Sequence, residues 1–311
     1  MRLKNSIKLS FANFSLFWKI VVYKLIVLAL VVLFMLPVGN ALISTFKSVN
    51  FFSELLNFCT NSVFSNIPQF FVGINNLFAI FIQGIVALIN SHLFVFIYIC
   101  FIIAIVLPFL SKLSDIPATE SLYGYMTSLT KYNFVSLYIR NLGKSCVYSI
   151  TKSLLQIPVW AIIVVGLYYI LNLTTLGGGF LIAVPILVFV YLVLAISIYQ
   201  SFLSFWVPSI VTFNNKTVKS LNKGFVLACK DYAKILSNFV VVVVVALALF
   251  ILFGGFGLFI ILPLWLFFVY IINMVGFFTN QGMRYYIDLE TIITPKKLEE
   301  TEQIAKIKDI L

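Results

Sequence analysis

The sequence predicts an all-α, polytopic membrane protein with six transmembrane helices and amphipathic interfacial helices on its cytoplasmic face. Three observations carry that prediction. Of 311 residues, 62% are hydrophobic and 10% charged, with a mean hydropathy of +1.10, too apolar to coat a water-soluble globule. Charge-free runs of the length a bilayer crossing needs, about 20 residues, alternate with short basic segments. Nearly all lysines and arginines then fall on one side of the resulting topology.

The chain reads as a single membrane domain, residues 1–283, followed by a charged tail, 284–311. Within residues 1–19, Leu3, Ile7, Phe11, Phe14 and Trp18 share one helical face, with Lys4 and Lys8 at its margin. The first span follows at roughly 21–42, its start marked by Lys19, Tyr23 and Lys24. The basic region ahead of it is longer than that of a secretory signal peptide, so the span is read as retained. Residues 92–110 form the second span. Between the two, residues 70–89 are interrupted by Asn75, Asn76 and Gln83. They are read as an interfacial or re-entrant helix on the outer face, because a crossing there would put the basic connection 112–152 opposite the basic N-terminus.

In that connection Pro117 opens a helix, and Lys131, Arg140, Lys144 and Lys152 carry positive charge. Its amphipathic end leads into a span at 154–171, where Pro158 predicts a kink. After the turn 172–179 comes the span 180–205. Residues 235–283 contain no Asp, Glu, Lys or Arg, a run too long for one crossing. They are assigned to spans 237–253 and 256–279, joined by a tight turn at Gly254, Gly255 and Gly257. In the tail, Thr294 and Pro295 open a short helix that places Glu302 and Lys306 as an i,i+4 pair.

Six spans put both termini in the cytoplasm of a cell whose plasma membrane holds the protein. Four groups of five basic residues then share the cytoplasmic face and only Lys47 lies outside, which is the positive-inside pattern. The net charge of +11 is explained by that placement, without nucleic acid as a partner.

Residues 215–236 concentrate the pattern. Lys216, Lys219, Lys223, Lys230 and Lys234 fall on one helical stripe, opposite Leu221, Phe225, Ala228, Tyr232 and Ile235. The stripe either contacts anionic lipid headgroups, worth about 1 kcal/mol per lysine near the surface, or is a solvated face that only obeys the positive-inside rule. The chain also reads as three units, each an amphipathic helix followed by a membrane hairpin. Ser6, Phe11 and Trp18 match Ser220, Phe225 and Tyr232 at constant offset.

Residues able to carry chemistry are scarce. All ten acidic residues are assigned to loops or the tail, although ionisable groups inside a membrane are the usual mark of function there. His92 sits at the outer end of the second span. Cys59, Cys100, Cys146 and Cys229 are scattered and read as buried apolar fillers. No phosphate loop, hydrolase elbow or zinc-protease motif is present, so no catalytic residue, metal or cofactor is expected. Gln156, Gln200 and Asn273 enter apolar stretches toward the cytoplasmic half. They either line a polar vestibule or join helices by hydrogen bonds of about 1 kcal/mol each.

The segment KSLNKGFVLACKDYAKIL, the turn GGFG, then ILPLW and FFTNQGMRYYID resemble a broad group of poorly characterised bacterial six-span integral membrane proteins. That group includes the membrane-anchor domain fused to some glycerophosphodiester phosphodiesterases. The resemblance spans roughly the last third of the chain and implies a membrane-embedded, non-catalytic role. The expectation is a non-enzymatic membrane component that organises anionic lipids or a membrane protein partner. The alternative is a transporter or permease for a small or lipidic solute, with a polar cavity reaching Gln156, Gln200 and Asn273.

Overall fold

The computed structural model describes residues 2–62, 67–128, 133–173 and 180–286. The helix expected from Thr294, with Glu302 and Lys306, lies outside the described residues, as do Lys131 and most of the turn 172–179. In chain order the helices are α1 (Arg2–Ala12), α2 (Phe14–Met35), α3 (Gly39–Ser48), α4 (Phe51–Asn57), α5 (Ile67–Ser91), α6 (Leu93–Phe101), α7 (Leu107–Lys112), α8 (Asp115–Ser128), α9 (Phe134–Arg140), α10 (Leu142–Asn172), α11 (Phe180–Leu203), α12 (Trp206–Phe213), α13 (Thr217–Lys230) and α14 (Tyr232–Asn280). No strand occurs among the described residues. Among the described residues, seven stretches are long and apolar enough to cross a membrane: Phe14–Ser48, Val72–Ser91, Leu93–Ser128, Leu142–Asn172, Ala183–Phe213, Tyr232–Leu249 and Ile261–Asn280. The protein is therefore built as a multi-pass membrane protein, in which helices satisfy the backbone hydrogen bonds that lipid cannot.

Long-range hydrogen bonds fix the order of the bundle. Tyr23 donates to the Leu110 carbonyl at 2.6 Å and Tyr98 to the Phe34 carbonyl at 2.8 Å, so α2 runs antiparallel to the α6–α7 rod. Lys112 on α7 reaches Gln156 on α10. Tyr191 on α11 donates to the Ile162 carbonyl on α10 at 2.9 Å, its ring lying against Gly166, where a Cβ would collide with it. Phe202 stacks on Tyr232 at 4.9 Å, joining α11 to α14, and Phe17 meets Phe267 at 5.9 Å, returning from α14 to α2. The chain of neighbours thus closes on itself.

One end of the bundle, here the basal end, gathers the segments that follow and precede the crossings. Asn5 donates to the Tyr285 hydroxyl at 2.9 Å, and the Tyr286 amide to the Met126 carbonyl at 2.9 Å. A Schellman turn ends α14: Gly282 has φ +65°, with Gly282 N–H bonded to Thr279 and Met283 N–H to Phe278. This turn directs residues 283–286 across α8. The sequence places α8 in a polar connection between spans. Instead Ile116, Ala118, Leu122, Tyr125 and Met126 are buried, and α8 forms part of the core at the basal end.

Three Asx residues at the basal end break the helical backbone. Asn13 (φ −113°, ψ 25°), Asn141 (φ −99°, ψ 7°) and Asp231 (φ −116°, ψ 25°) each interrupt helical backbone between a basal helix and a span. Each follows a leucine by four residues: Leu9, Leu137 and Leu227. Asn13 and Asn141 donate their side-chain amides to the Leu9 and Leu137 carbonyls at 3.1 and 2.9 Å. The helix expected over 215–236 is consequently two: α13 stops at Lys230 and Lys234 belongs to α14. Asx residues suit such a hinge because their side chains substitute for helical backbone partners.

Two further differences are local. Val72–Ser91 within α5 is long enough to cross, one stretch more than the six expected. It packs beside α3, with the Phe46 ring against Gly84, and Phe78 meets Tyr168 near the distal end of α10 at 6.4 Å. Cys59, Cys100 and Cys229 are exposed rather than buried.

Candidate functional site

The first residue of α8, Asp115, is the strongest departure from a charge-free interior. It is 4% exposed. Tyr148 and Lys152, one turn apart on α10, donate to Oδ2 at 2.9 and 3.0 Å, and Tyr270 of α14 donates to Oδ1 at 2.7 Å. Lys152 also donates to the Tyr148 hydroxyl at 2.5 Å. The carboxylate therefore joins α8, α10 and α14, and its place in the first turn of α8 sets it against the positive end of the helix dipole. An ion pair removed from water holds together only when such extra hydrogen bonds complete it.

Two more lysines approach the same group. Lys24 on α2 donates to the Ser111 carbonyl and, at 2.9 Å, to the Ser111 hydroxyl. Lys112 donates to Gln156 Oε1. Both lie within electrostatic reach of Asp115 and of Lys152. Neither forms an ion pair with a carboxylate of the described residues. Three ammonium groups thus surround one carboxylate at the basal end.

Of the polar residues expected to form a vestibule, Gln156 enters this cluster. Asn273 lies one turn beyond Tyr270 on α14, its Oδ1 buried and without a hydrogen-bond partner. Gln200 neighbours Tyr199, whose buried hydroxyl also lacks a partner. No hydrogen bond among the described residues links the three. The groove between α10 and α11, about 580 Å³, is lined by apolar groups such as Leu155, Val159, Ile163, Leu194 and Ile198, together with Tyr199.

The lysine stripe is exposed throughout: Lys216, Lys219, Lys223, Lys230 and Lys234 all face outward. Lys223 sits 5.4 Å above the Phe213 ring. Lys234 approaches Asp231 at 3.5 Å with 72% of its side chain exposed, a surface pair of little energetic weight. What α13 buries is Thr217, Ser220, Gly224 and Ala228. A Cβ at Gly224 would come within 2.8 Å of the Phe205 backbone, and Trp206 donates its indole N–H to the Thr217 carbonyl at 2.9 Å. Close packing through small residues leaves the bulky ones outside.

The same inversion holds in α1, in the first turns of α10 and in α13. Ser6 and Leu9 of α1 are buried, whereas Ile7, Phe11, Phe14 and Trp18 are 48%, 78%, 43% and 57% exposed. At the start of α10, Ser145, Ser149 and Ser153 face inward while Val147, Ile150 and Leu154 face out. On α13, Val218, Phe225 and Val226 are exposed. α1 and α13 present large apolar side chains and lysines together, the composition that lies at a lipid–water boundary, whereas the outward face at the start of α10 is apolar without an exposed lysine.

The sequence reading missed Asp115, Tyr148, Tyr270 and the inward roles of Lys24, Lys112 and Lys152. A signal was present: Lys24 and Lys152 stand eleven residues beyond the hinges Asn13 and Asn141, a shared register that places both at the same depth. No known family model, curated protein or solved structure matches the chain.

Proposed function

We propose that the protein is a non-enzymatic plasma-membrane component that gathers anionic lipids, and through them or beside them a membrane protein partner, at the cytoplasmic leaflet. In this reading six segments cross, α5 remains at the outer face, and the basal end with both termini is cytoplasmic. One observation carries it: α1 and α13 turn bulky apolar side chains outward among exposed lysines, and the start of α10 turns Val147, Ile150 and Leu154 outward beside them. Such a surface is costly in water and favourable in the headgroup region, where each lysine adds about 1 kcal/mol of attraction to anionic lipid. The resemblance to membrane-anchor domains agrees with a role that needs no catalytic residue.

The test uses the full chain in vesicles of phosphatidylcholine containing a minor fraction of spin-labelled phosphatidylglycerol. Replacing Lys219, Lys223, Lys230 and Lys234 with Gln should reduce the fraction of labelled lipid immobilised at the protein. An unchanged fraction would remove the reading. Native mass spectrometry of gently extracted protein tests the partner: a stoichiometric protein supports it, and a chain that always emerges alone opposes it. A transporter of an anionic or lipidic solute is the second reading, favoured by the Asp115–Lys152 pair inside the bundle, since buried ionisable groups in membrane proteins commonly mark solute or proton pathways.

A further inference from the structure

We infer that Lys24, Lys112 and Lys152 form a discrete binding site for a phosphate group at the basal end of the α2–α7–α10 contact, distinct from the exposed lysine stripe. The argument begins with charge. Lys152 is matched by Asp115 at 3.0 Å, but Lys24 and Lys112 are held only by neutral oxygens, those of Ser111 and Gln156. All three lysine residues are only partly accessible, so water compensates them incompletely. A cation withdrawn from water without a counter-charge is costly. The N-terminus of α8, fourteen residues long, adds positive potential at the same place.

The three lysines come from three different spans, so the site exists only in the folded bundle. They are not a run of basic sequence, and each is anchored: Lys24 through Ser111, Lys112 through Gln156, Lys152 through Tyr148 and Asp115. Anchored donors converging from several helices hold an anion with less loss of side-chain freedom than mobile surface lysines do. The group recognised is a phosphate bearing negative charge, supplied by an anionic phospholipid headgroup or by free phosphate. Asp115 sets a limit on the ligand: its carboxylate repels an anion that penetrates beyond the ammonium groups, so the phosphate sits on their outer side. This inference deepens the proposed function by naming a bound group, and it rests on that reading's placement of the basal end among headgroups.

Full-length protein in neutral detergent is washed extensively, supplied with equal phosphatidylglycerol and phosphatidylcholine, and examined by native mass spectrometry. In parallel its thermal unfolding is followed with inorganic phosphate. The expected result is one retained phosphatidylglycerol, preferred over phosphatidylcholine by about tenfold or more, and loss of that preference in Lys24→Gln/Lys112→Gln. Lys112→Arg should keep the preference, showing that charge rather than mere disruption is read, and the distal Lys47→Gln should leave it unchanged. If phosphatidylglycerol shows no preference but phosphate raises the unfolding temperature of the native chain and not of the double variant, the site takes free phosphate. Absence of both effects, or a lipid preference that survives Lys24→Gln/Lys112→Gln, overturns the inference. The stoichiometric lipid kept after washing is separate from the bulk enrichment read with the α13 variant, so either proposal can fail alone.

Discussion

The Asn280 side-chain amide donates to Asp231 at 3.0 Å, joining the last residue of α14 to the hinge residue immediately before its first. The helical backbone between them extends over 49 residues and would be about 74 Å long if straight. Its two described halves, Tyr232–Leu249 and Ile261–Asn280, therefore run back past each other. Ile235, Phe239 and Val242 on the outgoing half share a core with Phe267, Met274 and Phe277 on the returning half. In a chain whose native cysteines are replaced by Ser, Cys introduced at 231 and 280 should react with one short bismaleimide and form an internal cross-link. A straight α14 predicts no intramolecular product.

Asp115 should be among the least replaceable residues for stability. Asp115→Asn leaves Lys152 without its charge partner and weakens acceptance from Tyr148 and Tyr270. Removing one member of a buried pair costs about 3–5 kcal/mol. Unfolding in detergent would show that loss as an earlier transition. The double variant Asp115→Asn/Lys152→Met should recover part of it, and simple additivity of the two single changes would contradict direct coupling.

The glycines divide sharply. At Gly224 a Cβ meets the Phe205 carbonyl group and the Trp206 Cα within 3 Å, and backbone cannot swing aside as a side-chain tip can. Gly224→Ala should destabilise by about 1–3 kcal/mol, the usual range for overpacking. Gly143, in the first turn of α10, has nothing within 4 Å of the same position. Gly143→Ala should be neutral or stabilise by up to about 1 kcal/mol. Equal effects at the two sites would mean that α13 does not rest on the α11–α12 junction as described.

What the sequence made legible was governed by local rules. Apolar length picks out α2, α10, α11 and both halves of α14, whereas the hinges, whose backbone angles nearly coincide at Asn13 and Asp231, have no counterpart in a reading that runs one helix over 215–236. The outward lysines of α13 followed from helical period. The sequence reading failed where tertiary context reverses a residue's ordinary behaviour. The sequence reads 111–128 as part of a polar connection, yet Asp115 is buried because partners arrive from α10 and α14. The sequence reads α1 and α13 as interfacial amphipathic helices but does not show that each packs on the bundle through its small residues, Ser6 in α1 and Thr217, Ser220, Gly224 and Ala228 in α13. Periodicity identifies two faces of a helix; it does not say which solvent each meets.

Trp18 and Trp206 turn that distinction into a measurement. Trp18 is 57% exposed on the apolar face shared by Ile7, Phe11 and Phe14, whereas Trp206 is 1% exposed beneath α13, its indole bonded to Thr217. Two single-tryptophan proteins are needed, with the remaining members of the four changed to Phe. For the Trp18 reporter this includes Trp206→Phe, which also removes the bond to Thr217 and should cost about 1 kcal/mol. In vesicles containing lipids brominated near the headgroup, Trp18 should be quenched strongly because its ring faces the acyl boundary. Trp206 should be quenched weakly, since α13 and the Phe205 backbone lie between it and lipid. Equal quenching would mean that α13 lifts away from the bundle. Weak quenching of Trp18, with strong quenching by aqueous iodide, would place the α1 face in water and remove the lipid-facing interpretation of the basal helices.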